Sequence, residues 1–407
     1  MTAKRRLAFL SAMVCQSVAC VTKSSSFCFF WRLEISDCPQ FCVRRGDVRL
    51  VSGLQRLCYW AMISAMSKQL RWGILATGNI AHHFADGLAD STRTCIAAVG
   101  SRTQAAANAY AQKHSVPHSH GSYDALLADD SVDAIYLSLP NSMHHEWTLK
   151  SLRAGKHVLC EKPLAANTVH AEEMFSVAER EDRLLVEAFM YRSHPATHAL
   201  LEQVNRGVIG KLRLIRTSFC YRTRVIENNV RFDATLDGGA LMDVGCYCIN
   251  FSRLFAGTEP IELNCIGRVH VRGVDEYAAG TMGFANGIIA TFVCGMTVQT
   301  QNAAMLCGDE GYIEVPVPWK PSKQAQFTVA SMAPPQQDGK VSGPKPPQTA
   351  HVNSEKSLYA LEADDFATAA LDGAEPVLSR DDSLGNMRVL ERLIRQIVKS
   401  DRSKPAC

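Results

Sequence analysis

A short apolar run, Trp72-Gly73-Ile74-Leu75-Ala76, passes directly into Thr77-Gly78-Asn79-Ile80-Ala81 and then into helical spacing over residues 81–88; no other feature constrains the fold of this chain as strongly. The run suits a buried parallel strand. A second apolar strand, Cys95-Ile96-Ala97-Ala98-Val99, follows about twenty residues on. Strand, glycine turn, helix and strand form the arrangement that binds dinucleotides. The turn brings backbone N–H groups to a pyrophosphate, and the helix start adds a favourable dipole. This chain departs from the G-x-G-x-x-A fingerprint, because Ala76 stands at the first glycine and only Gly78 is kept. An ordinary strand-to-helix turn is the competing reading. The candidate cofactor contacts on this segment are Gly73, Thr77, Gly78, Asn79 and Ile80.

The second strand ends in Gly100-Ser101-Arg102. Many dinucleotide folds place an acidic residue here for the ribose 2′-hydroxyl, and this chain has none. Ser101 and Arg102 instead suit a 2′-phosphate through charge-assisted hydrogen bonds, which favours NADP and leaves NAD possible. A solvated arginine at a helix start is the plainer alternative. Helices are expected over residues 105–114, 123–128 and 144–154, with strands over 132–139 and 155–160. Ligands gather at the carboxyl ends of such strands, so Pro140, Asn141, His144, Glu161 and Lys162 lie along a candidate binding rim.

Two further stretches carry possible chemistry. Lys162 ends an apolar strand and precedes Pro163, which turns it toward the crevice rather than open solvent. Gly238-Gly239-Ala-Leu-Met-Asp243-Val-Gly-Cys-Tyr247 reads as a helix reached through glycines, with Asp243 and Tyr247 four apart on one face. Alcohol oxidation requires a base for the hydroxyl proton. A free phenol titrates near 10, and a neighbouring ammonium is expected to lower that value. The alternative is a core tyrosine and a helix-end aspartate.

Glu161-Lys162-Pro163, taken with Gly239-Ala-Leu-Met-Asp-Val-Gly-Cys-Tyr247, resembles the glucose–fructose oxidoreductase, inositol dehydrogenase and MocA-like family. Glu187-Ala-Phe-Met-Tyr-Arg192-Ser-His-Pro195 is similar to its branch of dimeric dihydrodiol dehydrogenases and NADP-dependent D-xylose dehydrogenases. The resemblance implies that Lys162 stands at the nicotinamide, that Tyr247 is the acid/base, that Asp243 positions substrate and that Arg192 lines the nicotinamide pocket. It also implies a homodimer or larger assembly. The expected reaction is NADP-linked oxidation of an aldose or related alcohol. The alternatives are a trans-dihydrodiol or dicarbonyl oxidoreductase, or a non-catalytic NADP(H)-binding regulator.

At 407 residues the chain exceeds one ordinary domain. The expected division is an N-terminal extension (1–67), a Rossmann NAD(P)-binding domain (68–187) and an α+β domain with a large open mixed or antiparallel sheet (188–407). In that last part strands are expected over 212–221, 261–271, 277–284 and 287–294, a mobile surface loop over 316–350, and helices over 358–371 and 382–399. A net charge of +3 argues against nucleic-acid or membrane-surface partners. Six of the fifteen cysteines precede residue 60, and none shows zinc-ligand spacing, so no metal site is expected. Buried free thiols in a reducing compartment are the simplest reading. Residues 4–21 form a weak signal-like pattern that would imply export. The favoured expectation is translation from Met62 or Met66 and a cytoplasmic enzyme.

Overall fold

The computed structural model describes residues 69–332, 343 and 345–402. The chain divides after Met66, and Ser67–Cys407 forms one unit. The readings made for the N-terminal extension lie outside the described residues.

Strand β1 (Leu70–Leu75) is buried at nearly every position, as an apolar run covered on both faces must be. It pairs in parallel with β2 (Thr94–Gly100) and β4 (Ala134–Leu137). With β3 (His118–His120), β5 (His157–Glu161) and β6 (Leu185–Ala188) these make a six-stranded parallel sheet in the order β3-β2-β1-β4-β5-β6. Helix α1 (Asn79–Gly87) crosses from β1 to β2. Helices α2 (Gln104–His114) and α3 (Tyr123–Leu127) follow, then α4 (Asn141–Arg153) and α5 (Thr168–Arg180). Gly73 lies mid-strand, where an added Cβ would stand 2.8 Å from Val132 and 2.9 Å from Ile135. Its glycine is therefore a packing requirement within the sheet, which corrects its expected place among the cofactor contacts.

After α6 (Pro195–Asn205) the pattern becomes alternating. Strand β7 (Leu212–Cys220) sits inside an eight-stranded sheet that runs β14-β13-β12-β11-β7-β10-β9-β8, in which β9 is Asp275–Phe284 and β11 is Ala304–Gly308. Only β7 and β10 (Ile289–Gly295) pair in parallel; every other neighbour is antiparallel. Strand β8 (Pro260–Val269) alternates buried Leu263 and Cys265 with exposed Ile261 and Ile266, so one face is covered and the other open. Covering the buried face are α7 (Cys246–Ala256) and α9 (Arg380–Arg402).

The mobile loop expected over 316–350 is corrected for its described residues. Strands β13 (Gln324–Ser331) and β14 (Gln348–Asn353) lie within or across it and extend the sheet beyond β12 (Gly311–Val315). Ala325 and Phe327 of β13 are buried in a period of two, a pattern obscured by the surrounding prolines. Helix α8 (Leu358–Asp372) returns to the first sheet, where Phe366 packs 5.0 Å from the Trp72 ring and Trp72 meets Phe84 edge-on at 5.5 Å. Each such buried side chain contributes about 2–3 kcal/mol by removal of apolar surface from water. The C-terminal helices thus lock the two sheets into one unit, with Glu161 and Lys162 at the carboxyl edge of the parallel sheet. All eight cysteines among the described residues are free thiols.

Candidate active site

On the cofactor side, β1 hands over to α1 through a strained turn. Ala76 adopts a φ of 87°, a region ordinarily left to glycine, and its N–H donates to the Gly100 carbonyl at 3.0 Å. Gly78 caps α1 in extended conformation with no side-chain cap, and the first turn holds no acidic residue. A Cβ at Gly78 would meet nothing within 4 Å. Its glycine therefore leaves space over uncapped N–H groups, which fits an incoming pyrophosphate. The Thr77 hydroxyl contacts that of Ser101 at 3.2 Å, while the Ser101 N–H donates to the His120 carbonyl at 3.0 Å. Arg102 is exposed beside them, and Asn79 and Ile80 open α1. Thr77, Gly78, Asn79, Ile80, Ser101 and Arg102 thus lie together at the carboxyl ends of β1 and β2.

Three expected rim contacts have other employment. His144 is 1% exposed, with Nδ1 2.9 Å from the Pro163 carbonyl and Nε2 2.8 Å from that of Leu139. Burial keeps its pKa below the ordinary histidine value despite these bonds. Both ring nitrogens face carbonyls of the rim loops, so neither is left open toward a cofactor. Asn141 donates its Nδ2 to the Asp237 carbonyl at 2.8 Å, tying the parallel sheet's rim to the substrate side, while Pro140 caps α4. Arg192 donates from Nη1 to Asp382 at 2.6 Å and to Asn250 at 3.2 Å. The side chain ties the segment after β6 to α7 and α9.

Lys162 is the hub. Its backbone follows β5 and enters a cis peptide bond to Pro163. The Nζ donates to the Asp243 carbonyl at 2.7 Å and reaches Asp243 Oδ1 at 3.3 Å. It also lies 5.2 Å from the centroid of the Tyr247 ring, over the face. Asp243 reaches this place because the chain between Gly238-Gly239 and α7 is a π-helical turn, Leu241–Gly245. Gly239, at φ 126°, lets the Asp275 carboxyl approach and accept the Leu241 N–H at 2.7 Å, which caps the turn. Burial raises Asp275 to about 6 against the backbone bonds that lower it.

Charges at the hub are mutually dependent. Burial works to raise Asp243, but Lys162 and Arg231 prevail and hold it at about 2. Burial likewise works to lower Lys162, and the Asp243 carboxylate overcomes it, leaving the ammonium above its ordinary value. Glu161, next along the chain, accepts the Tyr136 hydroxyl at 2.5 Å and is pushed upward by burial.

Tyr247 departs from expectation. Its hydroxyl points to Met190 Sδ at 3.4 Å, within an aromatic surround of Phe189, Phe219 and Trp319. Burial, with the Glu161 charge, pushes the phenol well above 10. The expected lowering by a nearby ammonium is overturned, because Lys162 faces the ring rather than the oxygen and its charge is largely matched by Asp243. Asp243 and Tyr247 flank the ammonium as a pair, but across a π turn rather than on one regular helical face.

Sequence reasoning missed two residues. The Tyr221 hydroxyl donates a short hydrogen bond to Asp243 Oδ2, and Arg231 donates its Nε to the same oxygen at 3.0 Å. Tyr221 follows the last residue of β7, where alternation marks it only as a strand-end aromatic. Arg231 lies in a single 3₁₀ turn, Val230–Phe232, with no local signal separating it from a solvated arginine.

Residues 70–189 match the family model described as an oxidoreductase family with an NAD-binding Rossmann fold, and residues 197–314 match the GFO/IDH/MocA C-terminal domain. The chain is 33% identical to the mouse trans-1,2-dihydrobenzene-1,2-diol dehydrogenase over 62% of its own length and 77% of that protein. It is 32% identical to a D-xylose 1-dehydrogenase (NADP(+)) of Haloferax volcanii over 80% of its length and 96% of the relative. A 3-ketoreductase from Actinomadura kijaniata, solved with NADP and TDP-benzene, superposes with a TM-score of 0.73 at 28% identity, covering 81% of this chain and 98% of that one. An aldose-aldose oxidoreductase from Caulobacter crescentus gives 0.73 at 25% identity, over 82% and 98%. With a dinucleotide turn at the carboxyl edge of the parallel sheet, a lysine–aspartate–tyrosine hub beside it, and relatives covered to between 77% and 98% of their length, this chain belongs to the GFO/IDH/MocA oxidoreductase family.

Proposed function

We propose that the enzyme transfers hydride between NADP and the carbinol or carbonyl carbon of a sugar or related alcohol, with Lys162 and Tyr247 handling the proton and Asp243 positioning Lys162. The observation that carries this reading is the Lys162 ammonium, anchored by Asp243 over the Tyr247 ring at the carboxyl edge of the parallel sheet. NADP, when bound, supplies the hydride donor or acceptor. The exposed Arg102 beside Ser101 suits its 2′-phosphate, and the Haloferax relative carries NADP in its name.

At neutral pH Lys162 and Tyr247 are both protonated, since both stand above their ordinary values. In that state the site donates a proton to a carbonyl oxygen. Oxidation of a hydroxyl requires one of the two to have lost its proton first. An aldose oxidised at its anomeric carbon is the leading substrate, and a trans-dihydrodiol or dicarbonyl is the second, favoured by the dihydrodiol dehydrogenase relatives.

Turnover of NADP⁺ and NADPH against a panel of aldoses, dihydrodiols and dicarbonyls tests the reading. Lys162→Met and Tyr247→Phe are each expected to lower kcat/KM by about 10²–10⁴-fold, as loss of a positioned proton-transfer group does. Wild-type turnover in both variants would refute the assigned roles.

The open face of the eight-stranded sheet exposes Ile266 (78%), Ile289 (52%) and Val293 (38%), which suits self-association. Light scattering is expected to give a homodimer or larger, and Ile266→Asp to shift it toward monomer; a monomeric wild type would end that reading. The free thiols suit a reducing cytoplasm.

A further inference from the structure

The mouth of the crevice carries more positive charge than the hub consumes. Asp243 is shared: Lys162 reaches Oδ1 at 3.3 Å, and Arg231 Nε and the Tyr221 hydroxyl meet at Oδ2. Within hydrogen-bond reach one carboxylate thus meets two cations, and Glu161 adds a second acidic group to set against Lys162, Arg231 and Lys320. Arg231 commits only Nε, and its terminal amino groups have no hydrogen-bond acceptor among the described residues. Its side chain is 48% exposed, against 14% for both Asp243 and Lys162, so the free edge of the guanidinium faces outward.

A third cation stands on the same mouth. Trp319 packs 6.1 Å from the Tyr247 ring and is pinned by its Nε1 donating to the Ser218 carbonyl at 3.0 Å. Lys320 follows it, is exposed, and makes no ion pair among the described residues. Partial burial, and then the positive charges of Lys162 and Arg231, lower its pKa against the pull of Glu161 and Asp243. Lys320 thus adjoins an aromatic that packs on the hub's tyrosine.

We infer that the substrate carries an anionic group, a carboxylate or a phosphate ester, received by the free edge of Arg231 and by Lys320 while its reacting carbon lies at Lys162. A guanidinium with two open N–H donors matches the planar pair of oxygens on such a group, and Lys320 adds a mobile point charge. The inference rests on the hydride-transfer reading above and narrows its substrate from neutral sugars to acidic or phosphorylated ones.

Glucose, glucuronate and glucose 6-phosphate share one anomeric hydroxyl and differ in charge. With NADP⁺, at least one charged sugar is expected to exceed glucose in kcat/KM by about tenfold or more, and which one does so separates carboxylate from phosphate. That ratio is expected to fall toward one in Lys320→Met and Arg231→Gln, and below one in Lys320→Glu. Ratios near one in the wild type, or ratios the substitutions leave unchanged, overturn the subsite while turnover keeps the oxidoreductase reading. A raised KM for NADP⁺ in Lys320→Met with an unchanged ratio also overturns it, by assigning the cations to the cofactor. If no sugar is oxidised, calorimetric titration of the NADP-loaded enzyme decides. Binding of glucuronate or glucose 6-phosphate over glucose, lost in Lys320→Met, keeps the subsite and ends sugar oxidation; no selective binding ends both.

Discussion

The turn at Ala76–Gly78 and the turn at Gly238–Asp243 both deliver a helix N-terminus to the same crevice, but they solve the backbone problem in opposite ways. On the cofactor side an alanine occupies a left-handed conformation, φ 87°, and Gly78 faces open space. On the substrate side both glycines are enforced by neighbours. A Cβ on Gly238 would stand 2.3 Å from the Arg231 carbonyl oxygen, and one on Gly239 would stand 2.3 Å from Asp275 Oδ1. The first turn tolerates strain and keeps room for a ligand. The second is packed solid and spends its freedom holding Asp243, Arg231 and the π turn in register. The difference teaches where tolerance lies: the cofactor turn accepts a departure from its fingerprint, and the proton-handling turn has no slack.

That contrast breaks first at Gly239. Gly239→Ala is expected to cost on the order of 3 kcal/mol in stability, combining a forced φ with displacement of the Asp275 cap. Activity is expected to fall at least as far as stability, because the Leu241 cap and the Asp243 position move together. Chemical denaturation paired with kcat/KM measures both. A variant as stable and active as the wild type would mean that the second turn is as forgiving as the first.

The next test is pH. Lys162 and Tyr247 are raised above their ordinary values, so the proton-accepting forms that oxidation requires are scarce at neutrality. Oxidative kcat/KM is expected to rise by roughly tenfold per pH unit from neutral toward 10, while carbonyl reduction stays level through neutrality and declines only in the alkaline range. An oxidation profile flat from 6 to 9 would place the proton acceptor elsewhere. Asp243 stays ionised across this whole window because it is held at about 2.

The contrast also explains what the residues revealed in advance. Continuous apolar runs ending in Ala76, Gly100 and Glu161 made the parallel sheet legible, because strands buried on both faces have no polar alternation to confuse. Lys162, Asp243 and Tyr247 stood out singly, at a strand end or beyond a glycine pair, and only the family resemblance joined them as a set. Tyr221 and Arg231 were not, since they reach Asp243 only through tertiary folding, from positions 22 and 12 residues away. His144 and Arg192 misled in the other direction. Both lie near the rim, yet their polar atoms are consumed by Leu139 and Pro163 carbonyls in one case and by Asp382 in the other. The direction of the Tyr247 shift could not come from spacing at all: it depends on which face of the ring the ammonium meets.

The smallest effect sharpens the comparison from the tolerant side. Ala76 is 9% exposed, and its positive φ costs roughly 1–2 kcal/mol that a glycine would not incur. Replacing it by glycine also frees the unfolded chain, which returns up to about 1 kcal/mol. Ala76→Gly is therefore expected to raise stability by less than about 1 kcal/mol, seen as a small upward shift in Tm. The KM for NADP⁺ is expected to stay level or fall, since removal of the Cβ widens the approach to the α1 N-terminus. A substantial loss of stability would show instead that the Ala76 methyl has a packing role exceeding its strain, and that the two turns are equally constrained.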